Sequence, residues 1–195
     1  MKARDNPFCV ERVDAIRYRP LATTFDTILA RLAVLGYQAA IVGPEGSGKT
    51  TLLEDIQRVL DCQGVRTRLV FANDTTPLDG RRRKRTLSEL EGDEVVLLDG
   101  ADTLRRSTWM RFQRRILKRA VGLVITTHQP GWLPTLIDCA TTPALLEEIV
   151  SDLLSPNCVS SDILNRLYQD HQGNIRHCLR DLYDLFARET MGLLV

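Results

Sequence analysis

The chain has 195 residues, 44% of them hydrophobic, and a formal net charge of +1, which suits one substantial core and is too short for several independent domains. No apolar stretch approaches the roughly 18 residues of a membrane span, and the opening MKARDNPFCVERVD lacks an apolar signal core, so a cytoplasmic protein is expected. Five scattered cysteines form no C-x-x-C pair, and His128, His171 and His177 show no metal spacing, so neither a disulfide framework nor a structural metal is expected.

In chain order, TTFDTILARLAVLG places Phe25, Ile28, Leu29, Leu32 and Leu35 at helical spacing, with Thr24 as N-cap and Gly36 as the stop. YQAAIVG then reads as a short buried strand, followed by a glycine-rich loop and a helix carrying Leu52, Leu53, Ile56, Val59 and Leu60. VRTRLVFA is a second strand. EVVLLDG is a third, its near-continuous apolar run fitting burial on both faces of a parallel sheet. STWMRFQRRILKRA is helical, VGLVITT is a fourth strand, and PTLIDC closes the set as a short fifth. From Thr142 the pattern turns helical. Thr142 caps PALLEEIVSDLL with Pro143 in the first position, SSDILNRLYQDH follows, and a last helix starts after Gly173 with Asn174 as N-cap. Its stripe is Ile175, Cys178, Leu179, Leu182, Leu185 and Phe186; Leu145, Leu146, Ile149, Leu153, Ile163, Leu164 and Leu167 complete that core. Alternating strands and helices predict an α/β fold with a parallel sheet.

Residues Gly43, Pro44, Glu45, Gly46, Ser47, Gly48, Lys49 and Thr50 spell GPEGSGKT, the pattern G-x-x-x-x-G-K-[ST], with Thr51 next in the helix. Glycines let the backbone take positive φ and turn its N–H groups around a phosphate, and the helix N-terminus adds partial positive charge. Lys49 is expected on the β and γ phosphates and Thr50 on Mg²⁺. Asp99, ending the third strand, is the partner carboxylate for that metal. ATP is expected rather than GTP because the sequence holds no N-K-x-D run.

The phosphate loop, VVLLDG, a strand ending in TTH and a C-terminal GNIR, in that order, resemble the AAA+ ATPases. The opening NPF and YRPL resemble the small bacterial AAA+ proteins of secretion-pore assembly and transposition. The resemblance implies a P-loop NTPase core over 1–141, with 1–21 as an extension near the nucleotide base, and a small helical lid over 142–195. It also implies that Thr126 or Thr127, of which Thr127 is the choice, senses the γ phosphate, and that Arg176 is the lid's second sensor. Arg176 would stand in the first turn of a helix, where a cation is disfavoured by roughly 0.3–1 kcal/mol, so an offsetting use is suspected, against a solvated pairing with Asp170 or Asp181.

Two departures from the family stand out. Gly100 occupies the place of the glutamate that polarises water, so Asp102 is the substitute base and hydrolysis is expected to be slow; a glutamate installed at 100 is expected to raise the rate. The stretch HQPGWLPTLIDCATTP contains no arginine to serve as a finger for a neighbour.

Charge is unevenly distributed. Residues 103–137 hold seven Lys or Arg and no acid, whereas 138–195 hold nine acids and four arginines. RRRKR at 81–85 reads as a loop-borne run, and Arg111, Arg114, Arg115, Lys118 and Arg119 recur opposite Trp109, Phe112, Ile116 and Ala120. Such a face suits nucleic-acid phosphates or plain solvent equally. The expected function is an AAA+-like ATPase using ATP and Mg²⁺ to switch a macromolecular partner, with a homo-oligomer open. The alternatives are a nucleotide-controlled DNA or protein adaptor and a small-molecule or nucleotide kinase.

Overall fold

The computed structural model describes residues 5–73, 75–154 and 158–189; residues 1–4, 155–157 and 190–195 of the expected extension and lid lie outside them. The chain runs α1 (Val10–Asp14), α2 (Phe25–Val34), β1 (Gln38–Val42), α3 (Lys49–Cys62), β2 (Arg66–Phe71), α4 (Gly80–Glu89), β3 (Glu94–Asp99), α5 (Arg106–Ile116), β4 (Gly122–Thr127), β5 (Thr135–Asp138), α6 (Pro143–Leu153), α7 (Ser161–Asp170) and α8 (Ile175–Glu189). A 3-10 turn, Ala101–Thr103, follows β3. These elements divide into two compact units, one drawn from Ala22–Gly43 and Lys49–Cys139, the other from Met1–Leu21, Pro44–Gly48 and Ala140–Val195. Among the described residues no helix is long and apolar enough to cross a membrane.

The first unit is a five-stranded, fully parallel sheet in the order β2-β3-β4-β1-β5. Burial follows position in the sheet: β4 is buried throughout and β3 at all but Asp99, whereas the edge strands β2 and β5 are mostly half-buried or exposed, with one buried residue each. That is the physical origin of the apolar runs VVLL and GLVIT, since a central parallel strand meets helices on both faces. On one face Trp109, Phe112 and Ile116 of α5 pack against Ala40, Val42, Val96, Leu98, Leu123 and Ile125. The alternate residues Ala39, Ile41, Val95, Leu97 and Val124 are equally buried and point to the opposite face, where Leu52, Leu53, Ile56 and Leu60 of α3 lie against the strands.

Helix starts follow the expected chemistry. Thr27 N donates to Thr24 Oγ1 (3.2 Å) at α2. The basic run 81–85 departs from expectation, for it is helical rather than loop-borne. Asp79 caps it, accepting from Arg82 N (2.8 Å), and lysine and arginine are themselves good helix formers. Several of its cations are also used internally. Arg82 donates to the carbonyls of Thr76 (2.7 Å) and Phe71 (3.0 Å), Arg83 to that of Leu78 (2.6 Å), and Arg85 pairs with Glu89 (2.7 Å). Helix α5 likewise stops at Ile116, so Lys118 and Arg119 lie in the turn beyond it, and Arg119 Nη1 bonds Leu87 O (2.7 Å). The 111–119 basic face is therefore shorter than a continuous helix would make it.

The second unit is helical. Leu145 N donates to Thr142 Oγ1 (3.1 Å) and His177 N to Asn174 Oδ1 (3.1 Å), capping α6 and α8. Leu145, Leu146, Ile149, Val150, Leu153, Leu164, Ile175, Cys178, Leu179 and Leu182 form its core, but Ile163 (46% exposed) and Leu185 (41%) do not join it. Phe8 completes that core and stacks edge-on against Phe186 at 5.3 Å. The NPF opening acts as a clip: Asn6, almost fully buried, accepts from Phe8 N (2.9 Å) and donates to Tyr183 O (2.9 Å). Arg12 adds a bond to Leu153 O (3.1 Å) and Arg19 ion pairs with Asp152 and Glu148. Helix α1 escaped the sequence reading because it has five residues and buries none of them.

Candidate functional site

The GPEGSGKT segment connects the end of β1 to the start of α3. Gly46 (φ +72°) and Gly48 (φ +85°) take the positive φ that the pattern requires, and Ser47 Oγ closes the turn by donating to Pro44 O (2.8 Å). Pro44 and Glu45 are exposed while Ser47 is buried. Within its unit the loop passes tightly against the α8 N-cap. A Cβ on Gly46 would stand 1.9 Å from Asn174 Oδ1 and 2.5 Å from its Cγ, so no side chain fits there. Lys49 and Thr50 open α3, whose N-terminus carries partial positive charge and whose own first turn holds no acidic residue.

Thr50 meets Asp99. Its hydroxyl donates to Asp99 Oδ2 (2.9 Å), and Asp99 Oδ1 accepts from Thr126 Oγ1, which in turn accepts from Gly100 N (2.8 Å). One carboxylate thus joins the start of α3 to the carboxyl ends of β3 and β4, the edge of a parallel α/β sheet at which ligands bind. A hydroxyl and a carboxylate are hard oxygen donors, the set that Mg²⁺ takes when phosphates and water supply its remaining ligands. Among the described residues no group of three or more His, Cys, Asp or Glu offers a protein-only cage.

Strand alternation separates the two threonines. Thr126 faces Asp99, whereas Thr127, fully buried, donates to Gln129 O (2.9 Å). Of the two, Thr126 and not the expected Thr127 is the one bonded to Asp99. Position 100 brings a second correction. Gly100 is left-handed (φ 82°, ψ 44°), and a Cβ there would lie 2.1 Å from Ala72 O, the carbonyl at the end of the β2–β3 ladder. A glutamate cannot be seated at 100 without moving backbone, so the expected gain from installing one is withdrawn.

Asp102 stands on the 3-10 turn after β3, and it is engaged. Its Oδ2 accepts from both His128 N (2.6 Å) and His128 Nδ1 (2.7 Å). His128, the first residue past β4, is 56% exposed in its side chain against 17% for Asp102. Sequence reading passed over this histidine because it sought metal spacing along the chain. The available signal was topological: an acid and a histidine each follow the carboxyl end of a strand, and those strands are neighbours.

Arg176 is exposed in the first turn of α8. Asp181, one of its expected partners, is instead held by His171 Nε2 (2.7 Å). On α5, Arg111, Arg114 and Arg115 are exposed opposite buried Trp109, Phe112 and Ile116, and Lys118 is exposed just beyond. Arg106 lies over the Trp132 ring, 4.6 Å from its centroid.

No family model and no curated protein matches the sequence. Among solved structures the chain is similar to the AMPPCP-bound DnaA from Aquifex aeolicus, an AAA+ ATPase, with a TM-score of 0.55 at 14% identity. The match covers 78% of this chain and 57% of that one, so the chain spans a little over half the DnaA chain's length. The likeness is one of fold. Five parallel strands with helices form an α/β core that matches in fold the P-loop NTPase core of DnaA.

Proposed function

We propose that this chain is an ATP-binding, AAA+-like P-loop ATPase that uses ATP binding and slow hydrolysis to switch a macromolecular partner. The observation that carries the reading is the contact of Thr50 with Asp99, Thr50 following in sequence a glycine pattern whose Gly46 and Gly48 take positive φ. In this reading residues 43–51 wrap the phosphates, Lys49 neutralises the β and γ groups, and Thr50 and Asp99 hold Mg²⁺, which would neutralise charge developing on the phosphates. Thr126, bonded to Asp99, is the γ-phosphate sensor. Arg176, exposed on α8 in the unit that includes Pro44–Gly48, is the second sensor, and 142–195 is the lid. The nucleotide held by the DnaA chain of similar fold supports ATP as the ligand.

A nucleotide-controlled nucleic-acid adaptor is the second reading, favoured by one observation: the exposed cations of α5 lie in a stretch of 35 residues, 103–137, without a single acid. Affinity for nucleic acid that falls steeply with salt would support it. The primary reading is tested by incubating the purified chain with Mg-ATP and identifying the bound and released nucleotide over time. Bound ATP passing slowly to ADP and phosphate supports the ATPase. ATP that stays intact on a salt-sensitive nucleic-acid binder supports the adaptor, and transfer of phosphate to an added acceptor would support a kinase instead.

A further inference from the structure

We propose that His128 is the proton acceptor for ATP hydrolysis, with Asp102 as its positioning residue; the inference rests on the ATPase reading above. Three observations lead to it. First, the usual place for a water-polarising carboxylate is closed, because any Cβ at Gly100 would meet Ala72 O at 2.1 Å. The base must come from another residue. Second, Asp102 is occupied. Its Oδ2 accepts from the backbone N–H of His128 at 2.6 Å and from the ring at 2.7 Å, so that oxygen is committed to His128.

Third, the same contact prepares the imidazole. An ionised carboxylate only accepts, so in the neutral ring it is Nδ1 that carries the proton and Nε2 that keeps its lone pair. Anchoring the ring and its own backbone N–H on one oxygen fixes both the orientation of the imidazole and the start of the loop that bears it. An acid holding a histidine in one tautomer is the arrangement by which hydrolytic sites use imidazole as a base. The pair lies in the same compact unit as the acidic centre and is joined to it by short stretches of chain. Asp102 is three residues past Asp99, His128 is two past Thr126, and Thr126 bonds both Asp99 and Gly100 N. The His128 side chain, 56% exposed, is accessible to water.

The step balances without a further reactant. The water oxygen bonds to the γ phosphorus as the bond from that phosphorus to the β–γ bridging oxygen breaks. The water proton passes to Nε2, giving an imidazolium stabilised by the Asp102 carboxylate, and the products are ADP and inorganic phosphate. General-base assistance of this kind contributes on the order of 10²–10⁴-fold.

The test is single-turnover hydrolysis of Mg-ATP by the full chain and by His128→Ala, with nucleotide affinity measured for each and free imidazole added in a second series. The expected result is unchanged affinity, hydrolysis slowed at least tenfold, and partial recovery in His128→Ala with imidazole. Asp102→Asn is also expected to slow hydrolysis, but imidazole is not expected to restore it, because the ring is still present. His128→Ala hydrolysing at the parental rate would overturn the proposal, and so would a loss that imidazole never repairs, which would assign His128 a structural part. A parental chain that binds no Mg-ATP would remove the ATPase reading itself, an outcome distinct from binding and hydrolysis that ignore His128.

Discussion

Placing any side chain at Gly100 should destabilise the protein before it alters chemistry. The left-handed backbone costs a non-glycine residue roughly 1–2 kcal/mol. A Cβ 2.1 Å from Ala72 O adds an overlap that only backbone movement relieves, and forced overpacking of this kind costs about 1–3 kcal/mol. The sum, about 2–5 kcal/mol, is a large part of the roughly 5–15 kcal/mol that holds a typical domain folded. For a chain of this size it corresponds to a fall in melting temperature of roughly 4–20 °C. Gly100→Ala and Gly100→Glu share the offending Cβ and differ in the carboxylate. Urea unfolding followed by circular dichroism should therefore show both with lowered midpoints and similar slopes. If Gly100→Ala stays within about 0.5 kcal/mol of the parent, the range of an ordinary surface substitution, the steric reasoning is wrong. A Gly100→Glu variant that is stable and hydrolyses ATP faster would refute it more completely.

Three other outcomes follow from the geometry. If the cations of α5 and the turn after it contact nucleic-acid phosphates, replacing Arg114, Arg115 and Lys118 by Gln should reduce the slope of log affinity against log salt by about 2–3, whereas Arg82→Gln, whose guanidinium bonds Thr76 and Phe71 carbonyls, should lower stability and leave that slope unchanged. Burial works to raise the Glu94 pKa, but the bonds from Arg68 and Glu91 N and the charges of Arg68 and Arg66 prevail and hold it below the ordinary value. Its stabilisation is accordingly full above the ordinary glutamate range and lost as pH falls through the lowered value, so Glu94→Gln should cost roughly 3 kcal/mol at neutral pH and progressively less below about pH 4 in urea titrations. Burial pushes the Cys178 thiol up to about 11, so a thiol reagent at neutral pH should label exposed Cys62 and Cys158 quickly and Cys178 only after unfolding.

The legible parts of the sequence were those whose physics is local or periodic. Thr24, Thr142 and Asn174 announced helix starts because capping needs only a side-chain oxygen and a backbone N–H three residues on. The runs VVLL and GLVIT gave away central strands because both faces are covered. The positive φ at Gly46 and Gly48 was readable for a related reason, glycine being the residue that tolerates it, and Asp99 at a strand's end was readable as the partner of Thr50 from the order of the motifs. What escaped depended on partners far along the chain. RRRKR looked like a loop until Asp79 capped it and the Phe71, Thr76 and Leu78 carbonyls absorbed Arg82 and Arg83. Thr126 and Thr127 were indistinguishable as letters, and strand alternation alone decides which one meets Asp99. His128 became a candidate only when two neighbouring strand ends brought it to Asp102.

Calorimetric titration of the parent and of Lys49→Ala with Mg-ATP tests the central claim most directly. Lys49 is the cation the GPEGSGKT pattern contributes to the phosphates, and it sits half-buried at the first position of α3, so its truncation should leave circular dichroism unchanged. The account predicts saturable binding by the parent, dependent on Mg²⁺, and its loss in the folded variant. No binding by the parent, or equal affinity in the two proteins, would contradict it.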